Sequence, residues 1–350
     1  MASMLICFAS QKSSIGESLM FSLNAILPII LLIVLGYFLK RIKLVNANFL
    51  SIANKLCFNV FLPCMLFMNI YKIDDLSNID WNFILYGVIA IFVIFLLGLL
   101  YVVFFVKDNR QKGVVLQCWF RSNYAIIGIS LATSLFQDAG ASAASLLSAF
   151  AVPVFNVLAV ISLSVFVKKV DDNGVVVKVN FGKVLLDIIK NPLIIGVALG
   201  LVSLLIRGVL VSNGINFRLT DIPFALDVVN KLGVVTTPLA LIVLGGQFVF
   251  SQASTMWKQI LVSTLARTVI VPVLGLVCAF LIMPNLPPQY VASYIALFAS
   301  PVAVSSAIMA KEMQNDDILA GQLVFWTTIV SGITLFIFIF VFRQIGIFPI

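Results

Sequence analysis

The sequence predicts an all-α polytopic membrane protein. Its ten transmembrane helices form two inverted five-helix repeats, with broken, crossing helices four and nine. Three observations predict this. The 350 residues are 62% apolar and only 10% charged, with a mean hydropathy of +1.15, whereas a soluble domain is about half apolar and a quarter charged. Runs such as "ILYGVIAIFVIFLLGLLYVVFFV" exceed the ~20 residues a spanning helix needs. Lipid leaves the backbone only itself to bond to, so the spans are helices, and the alternating pattern of a membrane barrel is absent. Finally, motifs of the first half return in the second at a nearly constant offset.

Residues 1–19 read as an N-terminal tail. "MASMLICFAS" has no basic n-region, and its apolar run is short for a signal peptide. Met20 opens a full span with a basic end, and the first repeat, 20–168, holds spans 20–40, 47–70, 81–106, 114–135 and 140–167. A cytoplasmic linker, 169–183, lies within the sizeable loop "KKVDDNGVVVKVNFGK". The second repeat, 184–350, holds spans 184–206, 222–249, 257–283, 289–311 and 318–342.

Loop cations orient these spans. One side carries Lys40, Arg41, Lys43, Lys107, Arg110, Lys112, Lys168, Lys169, Lys178, Lys183, Lys258 and Lys311, and the other only Lys12, Lys72, Arg207, Arg218 and Arg343. The positive-inside rule makes the first set cytoplasmic and puts both termini outside. This orientation fits a multi-pass protein of the cytoplasmic (plasma) membrane. The net charge of +8 is mostly this topology signal. Its cations are dispersed among short loops, so the surrounding partner is the lipid bilayer and no nucleic acid is expected.

The sequence has no histidine and five scattered cysteines, which read as small core residues rather than disulfides or metal ligands. No cofactor or metal is expected. Neither a nucleophile–base pair nor a metal cluster is visible, so the chain does not read as an enzyme. A Walker-type phosphate loop, which would speak for ATP drive, is absent as well.

The halves match in three places. "NKLCFNVFLP" from Asn54 aligns with "NKLGVVTTP" from Asn230, and Trp81 with Trp257, both at an offset of 176. "FRSNYAIIGISLA" from Phe120 aligns with "FASPVAVSSAIMA" from Phe298, at an offset of 178. A second copy of an odd-span unit enters the membrane from the opposite side, which is the inverted repeat of secondary transporters.

The third match carries the candidate site. Ser300-Pro301 reads as a helix start inside a span, serine capping and proline at the first helical position. Ser122, Asn123 and Tyr124 hold the equivalent place, where asparagine also caps well. Both spans are expected to break at mid-membrane, each exposing the positive end of a half-helix. Two such ends facing each other make a site for an anion.

The charges inside the spans agree with that site. Arg121 lies beside the first break and Arg267 lies inside span eight. Lys55 and Lys231 are related by the repeat, and Lys231 follows Asp227 by four residues. An arginine at the centre of a span costs roughly 2.5–3.5 kcal/mol and normally faces a cavity or a partner. Cations outnumber acids among these groups, so the expected cargo is negative. Other readings stay open at this point. Arg121 could snorkel to the cytoplasmic edge, and Arg267 could pair with Asp227. Asp227–Lys231 has the spacing of an ordinary helix pair, with ion or proton coupling as the alternative. Pro63 and Pro238 serve either as simple kinks or as matched hinges lining the site, with Asn59 nearby.

"NVFLPCMLF", "SNYAIIGISLA", "NPLIIGVALG" and "ASPVAVSSAIMA" together resemble the auxin efflux carrier family, including bacterial members of malate or malonate permease type. The resemblance covers nearly the whole chain from about Met20. It implies the five-plus-five inverted fold, a scaffold and a transport domain, homodimerisation and carriage of small organic anions. By position it makes Asn123 and Pro301 the crossover residues. The plant carriers have Asn-Pro-Asn type crossovers and often a long central loop. The shorter loop and different crossovers here favour a malate-type carboxylate over auxin. Proton or sodium coupling is left open. The rival functions are a sodium-coupled symporter of bile-acid type, a channel, and a non-transporting membrane sensor.

Overall fold

The computed structural model describes residues 15–71, 80–167, 186, 189–215, 222–248 and 254–348. The expected linker 169–183 and residues 1–14 of the expected tail lie outside these. Helix α1 (Ile15–Arg41) begins five residues ahead of the predicted first span. Then follow α2 (47–71), α3 (Trp81–Phe105), α4a (Asn109–Phe120), α4b (124–136) and α5 (Ala139–Val165). The second half holds α6 (Pro192–Ser212), α7 (Pro223–Gln247), α8 (Trp257–Ile282), α9a (Pro288–Ala299), α9b (Ser305–Glu312) and α10 (Asp317–Gln344). The described residues contain no strand, only one isolated β-bridge.

Polar residues at the predicted breaks set many of these boundaries. Asn46, Asp80, Asp108, Asn191 and Asp316 each stand at an N-cap and accept from backbone N–H groups of the first turn, satisfying donors the helix itself cannot. Among the described residues three helices hold a π-helical turn, Cys57–Phe61 in α2, Tyr124–Gly128 at the start of α4b and Ala266–Ile270 in α8. α4b runs into α5 through a kink at Phe136 and Gln137, where Gln137 has φ 48°.

Among the described residues, seven helices are long and apolar enough to cross a membrane, within α2, α3, α5, α6, α7, α8 and α10. Predicted span one, which falls in α1, is not in that set, and predicted spans four and nine are absent from it because each is interrupted. α4a and α9a have 12 residues each and α9b has 8, well short of the ~20 that span a bilayer. Large apolar side chains stand exposed along α3 (Leu85, Ile89, Phe92, Leu96, Leu100), α6 (Leu199, Leu205, Val209) and α8 (Leu261, Val277, Leu281). An apolar belt of this extent is stable only against lipid tails.

The helices pack as two groups. In one, α7 lies on α1 and α2, and α2 on α6. The α1–α7 contact is backbone to backbone. A Cβ on Gly36 would collide with the Ile242 carbonyl, and one on Gly245 with that of Ile33. Close approach at small residues is how helices associate in lipid, where apolar burial supplies no drive. The second group packs α3, α4a, α5, α8, α9a, α9b and α10 together, with α9a central and residues 291–299 all buried. The groups meet where α10 lies on α1 and where α9b touches α7 and the π turn of α2.

Arg207 stood among the loop cations in the sequence. It is in fact buried in α6, donating to the Tyr71 carbonyl at 3.2 Å and lying over the Tyr71 ring at 5.8 Å. A cation at a helix C-terminus offsets the partial negative charge of the last carbonyls, here those of α2.

Candidate functional site

The two interrupted helices meet at their breaks. Past Phe120 the chain turns extended, with Arg121 at φ −87°, ψ 110°. Past Ala299 it does the same, with Ser300 at φ −64°, ψ 150°. The segments run antiparallel, Ser122 bridging to Val302, and the Asn123 N–H donates to the Pro301 carbonyl at 2.8 Å. The neighbouring Val302 N–H donates to Thr327 Oγ1 of α10 at 3.2 Å, and that hydroxyl donates to Leu323 O at 2.6 Å. Unwound backbone at this depth persists only where protein or a polar cavity satisfies it.

The pairing corrects one expectation. Ser300-Pro301 does not start a helix; Ser300 ends α9a, and α9b begins four residues past Pro301, at Ser305. Proline disfavours helical geometry in its predecessor, and its own carbonyl is taken by Asn123, which holds the chain extended as far as Val302. The Ser122 and Ser300 hydroxyls find no protein partner and cap nothing.

Each side of the crossing contains a buried arginine. Arg267, 1% exposed, sits in the π turn of α8. Its Nε donates to Ser300 O at 2.8 Å, Nη2 to Leu297 O at 2.8 Å and Nη1 to Trp119 O at 3.1 Å. The guanidinium therefore spans the C-terminal ends of α4a and α9a, whose last carbonyls have no partner within their own helices. Arg121, 3% exposed, lies toward the N-terminus of α9b. It donates to Gln117 Oε1 at 2.9 Å, Asn156 Oδ1 at 2.8 Å, Ser305 Oγ at 2.8 Å and the Met309 sulfur at 2.6 Å. All four acceptors are neutral. Its burial is the opposite of snorkelling.

Orphan polar atoms surround Arg121. The Gln117 amide nitrogen and the Ser306 hydroxyl are buried without a protein partner, and both residues line a cavity of ≈ 190 Å³ with Val114, Cys118, Val302, Ala320 and Leu323. A larger cleft of ≈ 430 Å³ separates the two helix groups at the end that carries the basic loops. Asn54, Leu244, Gln247, Ala307, Asp317 and Gln322 are among the residues that line it. Its wall at Ala307 is two residues from Ser305, a partner of Arg121. Beside it the Asn54 amide donates to Glu312 Oε1 at 2.8 Å, joining α2 to α9b.

Of the residues singled out in the sequence, Arg121, Ser122, Asn123, Tyr124, Arg267, Ser300 and Pro301 converge on the crossing, all of them buried. The others lie apart. Asp227 and Lys231 pair with each other at 2.6 Å on an exposed face of α7, so Asp227 is not the partner of Arg267. Asn59 is exposed in the π turn of α2 and donates to Lys55 O at 2.9 Å. Pro63 packs its backbone on Gly196 of α6, and Pro238 is exposed on α7. The sequence reading missed Gln117, Asn156, Ser305 and Thr327. Asn156 had a visible signal, an amide inside the apolar run "VPVFNVLAV".

The family described as membrane transport protein matches residues 21–339 of the chain. No curated protein matches it.

Proposed function

The chain belongs to the membrane transport protein family, that of the auxin efflux carriers. From that premise we propose that it is a secondary transporter of small organic anions, with malate-type dicarboxylates as the expected cargo. It works by alternating access in the cytoplasmic membrane. The observation that carries this reading is Arg121, a buried cation with four neutral partners. A buried charge without a counter-charge is costly. It is retained where a ligand of opposite sign completes it.

The magnitudes favour a dianion. Each half-helix N-terminus contributes about half a positive charge, and α4b and α9b both start at the crossing. With Arg121 the field there amounts to roughly two positive charges. The unpaired Gln117 and Ser306 donors supply hydrogen bonds to carboxylate oxygens.

The same proposal takes the fold as ten helices in two inverted repeats. The packing supports it, because each group draws corresponding helices from both halves: α1 and α2 with α6 and α7, then α3–α5 with α8–α10. The first group is the scaffold, and the second moves against it and carries the crossing. The basic end faces the cytoplasm, so the ≈ 430 Å³ cleft is the inward path to Arg121, and the Asn54–Glu312 bond spans the moving boundary. The working unit is a homodimer.

The test is uptake of labelled malate and malonate into proteoliposomes, with thermal-shift titration of the same acids on purified protein. A ligand specific to the folded state raises stability with the logarithm of its concentration. Saturable uptake and stabilisation are expected, both weakened in Arg121→Gln. Absence of flux and of stabilisation by any short carboxylate would refute the reading.

A further inference from the structure

Arg267 is a second buried cation at the crossing, and the anion site does not use it. We propose that it is a built-in counter-cation. Its guanidinium takes the place between the two half-helix C-termini that a coupling sodium ion would need, so anion transport runs without sodium. The inference rests on the transporter reading above and extends it to coupling.

The geometry carries it. Unwound carbonyls and half-helix C-terminal ends are the groups with which discontinuous helices coordinate cations. Here those groups, Trp119 O from α4a with Leu297 O and Ser300 O from α9a, converge at 2.8–3.1 Å on one guanidinium. Trp119 belongs to the first half of the chain and the other two to the second, so a single side chain closes both breaks. Among the described residues no carboxylate bonds Arg267. Nearby Thr268 is already committed, donating to Thr264 O at 2.8 Å.

The charge count agrees. Each C-terminal end bears about half a negative charge, so the two ends together offset one guanidinium and leave nothing for a second cation. Two unit charges 4 Å apart at an effective dielectric near 20 interact strongly enough to lower a sodium ion's affinity by roughly a thousandfold. Arginine cannot discharge to make room, since it holds its proton under all ordinary conditions.

The experiment uses the full chain in detergent and in proteoliposomes. The wild type is heated in sodium chloride and in choline chloride at equal ionic strength, and labelled malate uptake is measured in the same two salts. Equal unfolding temperatures and equal uptake are expected. Arg267→Ala is expected to unfold at a lower temperature and to regain part of the loss in millimolar guanidinium chloride, a probe shaped for the vacated place. Arg267→Lys, which keeps the charge on fewer donors, is expected to fall between the two. A saturable rise of the wild-type unfolding temperature with sodium, or uptake that stops in choline, overturns the proposal. So does an Arg267→Ala protein that unfolds like the wild type. If that variant does not survive purification, the wild-type comparison and Arg267→Lys decide. A chain that moves no acid would remove the transporter reading, and the two-salt unfolding comparison would still judge Arg267.

Discussion

The two buried arginines at the crossing are held in opposite ways. Arg267 is gripped by three backbone carbonyls at the C-terminal ends of α4a and α9a. Arg121 is held by side chains only, two amides, a hydroxyl and a thioether. Backbone carbonyls cannot swing away without unmaking the break. Side-chain oxygens can turn to water or to a ligand through a rotamer change. The same residue type is thus a fixed strut on one side of the crossing and an exchangeable contact on the other.

The largest expected effect tests that contrast directly. Arg267→Leu strands three buried carbonyls, at about 1–3 kcal/mol each, so a loss of roughly 3 kcal/mol or more is expected. Arg121→Leu leaves amides and hydroxyls free to pair among themselves or with water, and its stability loss should be smaller. Thermal unfolding of both variants in one detergent makes the comparison. An Arg121→Leu protein less stable than Arg267→Leu would invert the assignment of strut and contact.

Next in size is the effect of changing Arg121 on anion binding. Arg121→Lys keeps the charge on a flexible stem and loses the planar fork, whereas Arg121→Gln loses the charge. If the charge attracts the cargo, Lys retains much of the malate affinity and Gln loses it, by tenfold for every 1.4 kcal/mol. Titration of the three proteins with malate ranks them. Equal affinity in all three would place the cargo away from Arg121.

A smaller effect is expected on the shared backbone of the crossing. Thr327→Val removes the hydroxyl that accepts from the Val302 N–H and keeps the side-chain shape. One buried donor left unpaired costs about 1 kcal/mol or somewhat more, visible as a lower unfolding temperature. An unchanged temperature would mean that the Asn123–Pro301 bond and the Arg267 contacts hold the breaks together without the Thr327 hydroxyl.

The comparison also explains what the sequence could reveal. Arg121, Asn123 and Ser300-Pro301 were legible because polar and helix-breaking residues inside apolar runs are costly in lipid, and because the two breaks mark each other through the repeat. The grip on Arg267 was not legible. Backbone carbonyls carry no residue identity, so Asp227 stood out as the visible acidic alternative. The length of the second break was hidden for a similar reason: Pro301 signals where a helix stops, but the pairing to Asn123 that keeps the next residues extended depends on a segment 178 positions away. Gln117 and Ser305 escaped because a neutral amide or hydroxyl on a helix is ordinary until a charge is found next to it. Arg207 was misplaced because loop counting records only sequence position, and the Tyr71 carbonyl that holds it appears only once α2 and α6 are packed.

The smallest effect is expected at Asp227, and it marks where the site ends. Asp227 and Lys231 form an i, i+4 pair at 2.6 Å, with side chains 54% and 75% exposed. Exposed pairs of this spacing contribute about 0.3–0.5 kcal/mol, because water and salt screen them and both side chains lose freedom. The pair lies within the first turns of α7, which starts at Pro223, on the helix group opposite the one that contains Arg121 and Arg267. Asp227→Asn is therefore expected to leave malate uptake and the unfolding temperature unchanged. Uptake in proteoliposomes across a range of pH is the sensitive measurement, since an acid that carried a coupling proton would shift that profile when neutralised even if the fold were untouched. A lost or displaced pH profile in Asp227→Asn, with normal unfolding, would move part of the chemistry from the crossing to α7. It would also give the carboxylate that Arg267 does without a working role of its own.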